Sequence, residues 1–599
     1  MPASLISTKK ADVAGTSLWK VLVGLYRQLS PAMRRSFPVL LAVMLLGAVA
    51  EVVTIGALLP FLAAIADSEN SPVLSFIAPA LTFLGADDQA KAIYVLTALF
   101  ALAAIVAAAL RLLLLWMSQN FLNGISYELS IRLYTNALYE SYAYHIRRNS
   151  SDTIAAINKV EIVTGYVIGP LMQATIAFVL ASFIIVGLVA IDATVALVAG
   201  VGFSAIYLLA TALTRSRLKR NSAVVSRAHD RRVKTMQEGL GGIRDVLLDQ
   251  SQPVFLETYE RVEAGYRTAR ARTSFLGGAP RFIVEAVGMI VIALVAVTIS
   301  QRPGGLMGAI PVLGALALGA QRLLPLIQQI YSGWAQVMGH QQVLFDVAAM
   351  LSRPAPERII ADMSLPFENQ IRLNNVGFAY SEGRTPALNG VSLEIPRGAR
   401  VGIVGKTGSG KSTLMDLVIG LLEPTQGDIF IDGVKLTSDN RAAWQKNIAH
   451  VPQAIYLSDA SIAENIAFGV RPDEIDRERV RRAAEQAELG QVIAALPQGY
   501  DTYVGERGIQ LSGGQRQRIG IARALYKQAS VLVFDEATSA LDNETESAVM
   551  AAVERLDRNL TILLIAHRIS TLDGCDMIVR LEGGRMVHAS SPLEATTSS

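Results

Sequence analysis

The sequence predicts a helical membrane domain of six transmembrane helices fused to a soluble α/β domain. Three observations predict it. Six long apolar runs fall before Asp346; a strand, a glycine-rich loop and a helix follow one another from Ala399 to Leu422; and a second glycine-rich stretch, LSGGQ, leads into another helical segment from Leu511.

The chain has 599 residues, more than one hydrophobic core supports, so it divides into at least two domains. A mean hydropathy of +0.38 with only 18% charged residues is unusual for a soluble protein of this size. The apolar excess lies before Asp346, and the sequence after Pro354 has the balance of a soluble α/β domain. The net charge of +3 decides little, because its distribution matters more. The single cysteine, Cys575, excludes an intrachain disulfide framework and cysteine-based zinc sites. The opening MPASLISTKKADVAGTS lacks the apolar segment of a cleavable signal.

A bilayer crossing needs roughly 20 predominantly apolar residues. Residues 36–66, 92–117, 165–191, 193–213, 281–300 and 307–331 supply six such runs. Lys and Arg mark the cytoplasmic side. They crowd the start (Lys9, Lys10, Lys20, Arg27, Arg34, Arg35) and the segment after Thr214 (Arg215, Arg217, Lys219, Arg220, Arg227, Arg231, Arg232). The loop after the first run is instead acidic, with Asp67, Glu69, Asp87 and Asp88. Both termini are therefore expected on the cytoplasmic side, with the basic patches facing anionic headgroups and no nucleic acid as partner.

The connections 118–164 and 214–280 are polar with helical spacing, so they read as cytoplasmic extensions of the spans, with tips at 141–152 and 237–250. Before the first span, Leu18, Leu22, Leu25, Tyr26 and Leu29 share one helical face, the pattern of an interfacial helix. The expected division is an N-terminal segment 1–35, a transmembrane domain 36–345, a linker 346–368, a nucleotide-binding domain 369–590 and a disordered tail 591–599.

ARVGIVG (399–405) is an apolar β-type run, and KSTLMDLVIGLL from Lys411 has helical spacing. Between them lies G-x-x-x-x-G-K-S, the strand–loop–helix context of a phosphate site. Gly405, Lys406, Thr407, Gly408, Ser409, Gly410, Lys411, Ser412 and Thr413 are candidate nucleotide contacts. Within that set Lys411 neutralises β/γ charge and Ser412 ligates Mg²⁺. VLVFDEATSALD (531–542) is an apolar strand ending in Asp535, a second Mg²⁺ ligand, followed by Glu536, placed to activate the attacking water.

With HVPQ around Gln453, IAHR around His567 and VGFAY around Tyr380, the chain resembles the ATP-binding cassette (ABC) family over nearly its whole length. The resemblance implies a half-transporter of the type I exporter fold, also called type IV, working in a bacterial inner membrane with its nucleotide-binding domain in the cytoplasm. It implies that Tyr380 stacks on adenine, that Gln453 contacts Mg²⁺ and serves catalysis, and that His567 meets the γ-phosphate. Ser512, Gly513, Gly514, Gln515 and Asp542 are then expected to complete the site held by a second copy of the chain. Glu506 matches an exporter-specific loop. One chain carries one of each element, so a homodimer with two ATP between its halves is the implied assembly.

The cargo leaves fainter marks. Arg111, Arg281 and Arg322 lie in or at the edge of apolar runs, where a central arginine costs roughly 2.5–3.5 kcal/mol on insertion scales. They are read as lining a cavity for an anionic headgroup, with pairing to Glu285 or Glu51 as the competing reading. PRFIVEAVGMIVIALVAV (280–297) and LGAQRLLPLIQQIYSGWAQV (318–337) resemble the fifth and sixth spans of bacterial lipid-linked oligosaccharide flippases. The implied cargo is an amphiphilic lipid-linked saccharide or glycolipid. The alternatives are a lipid A or hydrophobic multidrug exporter and, from another class, an ATP-gated channel or regulatory membrane protein.

Overall fold

The computed structural model describes residues 17–65, 79, 81–83, 89–191, 193–300, 305–353, 363–381, 385–535, 547, 559–565 and 574–590. The chain forms two compact units, one of residues 3–140 and 147–356, the other of residues 141–146 and 357–599.

The first unit is helical. Its elements are α1 (Leu18–Gln28), α2 (Pro31–Ile65), α3 (Gln89–Tyr139), α5 (Ser150–Val163), α6 (Gly169–Ile191), α7 (Ala193–Gly241), α8 (Ile243–Leu248), α9 (Gln252–Ser300) and α10 (Gly305–Leu351). A short helix between α3 and α5, α4 (Tyr142–Ile146), belongs to the second unit. Among the described residues, Pro31–Leu58, Ala90–Tyr139 and Ser150–Gly187 are long and apolar enough to cross a membrane. The fourth to sixth expected spans fall in α7, α9 and α10, where many side chains lie outside the described residues.

Local chemistry explains the shapes. α1 buries Leu25, with Leu29 just past its end, against Leu40, Leu114 and Phe121, and leaves Trp19 68% exposed, as an interfacial helix should. The corner between α1 and α2 is tied to α3: the Ser30 N–H donates to Glu128 at 2.9 Å, the Ser30 hydroxyl donates to the same carboxylate, and Arg132 donates to the Gln28 carbonyl at 3.2 Å. Between α5 and α6 the helix widens into a π-turn, Thr164–Ile168. Pro170 follows it, and a proline in a helix lacks an N–H and crowds the carbonyl four residues back, here that of Tyr166. The extensions predicted beyond the spans are helical: α3 runs to Tyr139 and α7 to Gly241, with α4 and α8 at the two expected tips. α10 continues to Leu351, into the stretch expected as linker.

The second unit has two sheets. Strands β1 (Gln370–Phe378), β2 (Leu388–Pro396), β3 (Arg400–Val404), β4 (Gln426–Ile431), β5 (Val434–Lys435), β6 (Ile448–Val451), β7 (Val531–Asp535), β8 (Thr561–Ile565), β9 (Met577–Glu582) and β10 (Arg585–Ser590) are arranged as β2-β1-β4-β5 and β10-β9-β3-β8-β7-β6. The first sheet is antiparallel. In the second, β9, β3, β8, β7 and β6 run parallel. β3, β7 and β8 read VGIV, VLVF and TILLI, the continuous apolar runs that a sheet covered on both faces requires. Helices α11 (Lys411–Val418), α12 (Ile462–Ile466), α13 (Arg477–Gln486) and α14 (Gly513–Lys527) pack around it. α11 ends at Val418, earlier than the apolar spacing to Leu422 predicts, because Gly420 turns the chain at φ +70° and buried Trp444 donates to the Val418 carbonyl at 2.8 Å.

Candidate nucleotide site and membrane charge cluster

β3, held between β8 and β9, delivers the chain into the loop Gly405–Gly410 at the carboxyl ends of the parallel strands. Two glycines are obligatory. At Gly405 (φ +153°) a Cβ would stand 2.3 Å from the Leu581 carbonyl, and at Gly410 (φ +102°) 2.6 Å from that of Ala387. The loop ends in α11, whose first turn directs free N–H groups outward. Lys411 is buried and curls back over the loop, its ammonium donating to the Gly405 carbonyl at 2.8 Å and that of Lys406 at 3.3 Å. The buried Ser409 hydroxyl has no hydrogen-bond partner among the described residues. An inward lysine, an orphan hydroxyl and outward backbone N–H groups fit a polyphosphate.

Of the other expected residues, the structure brings Tyr380 and Asp535 beside α11. Tyr380 lies edge-on to Phe378 with ring centres 5.0 Å apart, and its hydroxyl is 3.0 Å from Thr413 Oγ1. Ser412 is exposed at the start of α11, and Gln453 is exposed just past β6. Asp535 ends β7 beside Asp416, whose carboxyl is pushed up to about 6 by burial and then by the Asp535 charge. Tyr142 on α4 faces the same pair. Its phenol is raised by burial, then by Asp416, Tyr380 and Asp535. Glu536, Asp542 and His567 lie outside the described residues.

LSGGQ is built as a reciprocal cap. The Ser512 hydroxyl accepts from the Gln515 N–H at 3.2 Å, and the Gln515 side chain accepts from the Ser512 N–H at 2.9 Å. Gly513 and Gly514 then occupy the first positions of α14 and add no side chain over its N-terminus. Arg523, further along α14, was not singled out by sequence reasoning. It donates to the carbonyls of Asn465 (2.9 Å) and Tyr456 (3.1 Å) and lies over the Phe468 ring at 4.4 Å. It thereby ties the segment that follows Gln453 to the helix that LSGGQ begins. Burial lowers its guanidinium to about 10.

In the membrane unit, Glu51 on α2 is 4% exposed and accepts ion pairs from both Arg111 on α3 and Arg322 on α10, the latter at 3.3 Å. Two cations share one carboxylate, so the cluster carries one net positive charge. The Arg111 and Arg322 side chains are 44% and 36% exposed within the single chain. Arg281 does not join them. Its partner is Glu285 on the same helix, one turn on, at 2.6 Å.

Residues 39–303 match the ABC transporter transmembrane region family and residues 388–539 match the ABC transporter family. An ATP-dependent lipid A-core flippase of Burkholderia pseudomallei is 30% identical over 516 residues, spanning 83% of this chain and 84% of that protein. The chain belongs to the ABC transporter family. A lipid A-core flippase of Cupriavidus metallidurans is 35% identical over 405 residues, and that match spans 65% of this ABC transporter and 66% of the relative's length. Among solved structures, a bacterial Atm1-family ABC exporter with ATP bound shares the fold, with a TM-score of 0.73 at 24% identity over 95% of this chain and 97% of that one. The exporter fold of this ABC transporter, a helical membrane domain joined to a nucleotide-binding domain, is thus the one its sequence predicts. Membership explains the paired machinery: ABC transporters couple ATP hydrolysis to movement across a membrane.

Proposed function

We propose that two copies of this ABC transporter enclose ATP between the glycine loop of one and the LSGGQ helix of the other, and that closing and reopening this seam flips an anionic-headed glycolipid across the bacterial inner membrane. The observation that carries the cargo class is the Arg111–Glu51–Arg322 cluster, a net positive charge on three apolar helices. Such a charge is costly in hydrocarbon and finds its use facing a wet cavity or a charged group. The lipid A-core flippases among the relatives support a phosphorylated saccharide lipid over a neutral drug. A lipid-linked oligosaccharide offers the same head-group chemistry.

Lys411 and the loop N–H groups hold the β/γ-phosphates. Ser412, Gln453 and Asp535 are the residues to hold Mg²⁺, which when bound neutralises phosphate charge. Glu536 takes the proton of the attacking water, and His567 steadies the γ-phosphate, as the family resemblance implies. Tyr380 receives the adenine, and Asp542 lies at the seam.

Reconstitution into liposomes tests this reading, with lipid A and a polyprenyl-pyrophosphate oligosaccharide as probes. ATP-dependent movement of at least one probe is expected. An Arg111→Ala/Arg322→Ala/Glu51→Gln variant, which leaves no unpaired charge, should lose about tenfold or more of that movement and keep basal ATP hydrolysis, since a charge-assisted hydrogen bond contributes about 1.5–3 kcal/mol. Unchanged movement in that variant, or movement of neither probe by the native protein, contradicts it.

A further inference from the structure

Away from the nucleotide loop and the membrane arginines, the first unit contains a second cluster of charge, built on a buried lysine with partly buried partners. Lys159 on α5 is 3% exposed. An ammonium has three protons to donate, and here each has an acceptor: Ser226 Oγ at 3.1 Å, Asp230 Oδ2 at 2.9 Å and Asp346 Oδ2 at 2.8 Å. Ser226 and Asp230 lie one turn apart on α7, and Asp346 is on α10. The Ser226 hydroxyl also donates to Asp346, Gln342 donates to Asp346 at 3.2 Å, and the Gln342 N–H donates to Ser222, one turn before Ser226, at 2.8 Å. Ser222, Ser226 and Asp230 thus form a polar ladder on α7 that faces α10 and closes on Lys159.

This is an unusual way to fill a helix interface. A buried ion pair stabilises little compared with apolar residues of the same volume, because desolvating the charges offsets their attraction. What it does supply is register, since a three-donor ammonium with its acceptors on two other helices is satisfied in only one relative placement of the three. A leucine-filled seam tolerates sliding; this one does not. The chain also enters α5 directly after α4, the short helix that groups with the nucleotide-binding unit. Three non-helical residues, 147–149, join α4 to α5, and Lys159 lies within the fourteen residues of α5.

We infer that Lys159 is a positioning residue of the transport cycle: it locks the cytoplasmic parts of α5, α7 and α10 into one rigid body, so that movement delivered to α5 turns all three helices together. The inference goes beyond the choice of cargo; it rests on the chain being an ATP-driven ABC transporter and, for the measurement between copies, on the proposed pairing.

Spin-label distance measurements test it. Labels at Ile154 with Arg231, and at Ile154 with Ala349, in protein diluted with unlabelled chain, should give one narrow distance per pair that is the same without nucleotide and with ATP–vanadate trapped. A change in either distance between the two states overturns the inference and needs no variant. The neutral variant Lys159→Met/Asp230→Asn/Asp346→Asn, which leaves no buried charge unpaired, should keep its KM for ATP and still trap vanadate. In that variant the nucleotide-driven change in distance between Gln321 labels on the two copies is lost. Retention of that change at native size also overturns the inference.

Discussion

At the scale of single residues, the nucleotide site is organised by what burial does to charge. Asp416 keeps its proton up to about pH 6 in the folded chain, because burial and then Asp535 disfavour the ionised form. Unfolded, it titrates near an ordinary aspartate value of about 3.9. Between those two values the folded state binds the extra proton, so Asp416 favours folding below about pH 4 and this advantage is lost as the pH rises through about 6. In nucleotide-free protein, Asp416→Asn should therefore raise stability by about 1–2 kcal/mol at pH 7.5 and by only about a third of that at pH 4.5, after discounting for the carboxyl's partial exposure. Thermal melts at the two pH values decide it; equal effects at both would reject the assignment. Asp416 also marks the limit of reading residues by motif. The glycine loop and Asp535 stand out in the sequence because their spacing is local. Asp416, Tyr142 and Asp535 meet only because β7, α11 and α4 converge, and no spacing rule connects positions so far apart.

At the scale of elements, the legible features were those with a short period. The apolar runs became helices, VLVF became a parallel strand, and the two tips became α4 and α8. The competing pairings of the membrane arginines could be named from sequence but not chosen, because Glu51 reaches Arg322 across 271 positions of chain. The structure puts Arg111 and Arg322 together and leaves Arg281 with Glu285, which narrows a three-arginine expectation to two. Ser512 and Gln515 show a different limit: the motif was visible, but its local work as a cap follows from the helix that starts at Gly513. Arg523 joins that helix to the segment after Gln453, and its loss would leave the Asn465 and Tyr456 carbonyls without their donor. Arg523→Met should cost about 2–3 kcal/mol, the scale of charged hydrogen bonds removed from a buried site. It should also lower kcat for ATP more than it raises KM, because the loop carrying Gln453 loosens while the glycine loop stays intact. Calorimetry and steady-state hydrolysis check both; a KM effect alone would place Arg523 in nucleotide binding instead.

At the scale of the whole molecule, the two units divide the labour. The α/β unit holds a glycine loop and an LSGGQ helix. The helical unit carries two charge clusters built on buried groups, Glu51 with Arg111 and Arg322, and Lys159 with Asp230 and Asp346. Sharing of the nucleotide site between copies can be read in a mixed pair, isolated with two affinity tags, in which one copy carries Lys411→Met and the other Ser512→Arg. Each change alone should silence both sites of its own homodimer. In the mixed pair both lesions fall in the same site and the other site is intact, so hydrolysis should recover, to about half the native rate if the two equivalent sites of a two-fold dimer turn over independently. A mixed pair as inactive as either parent would contradict it.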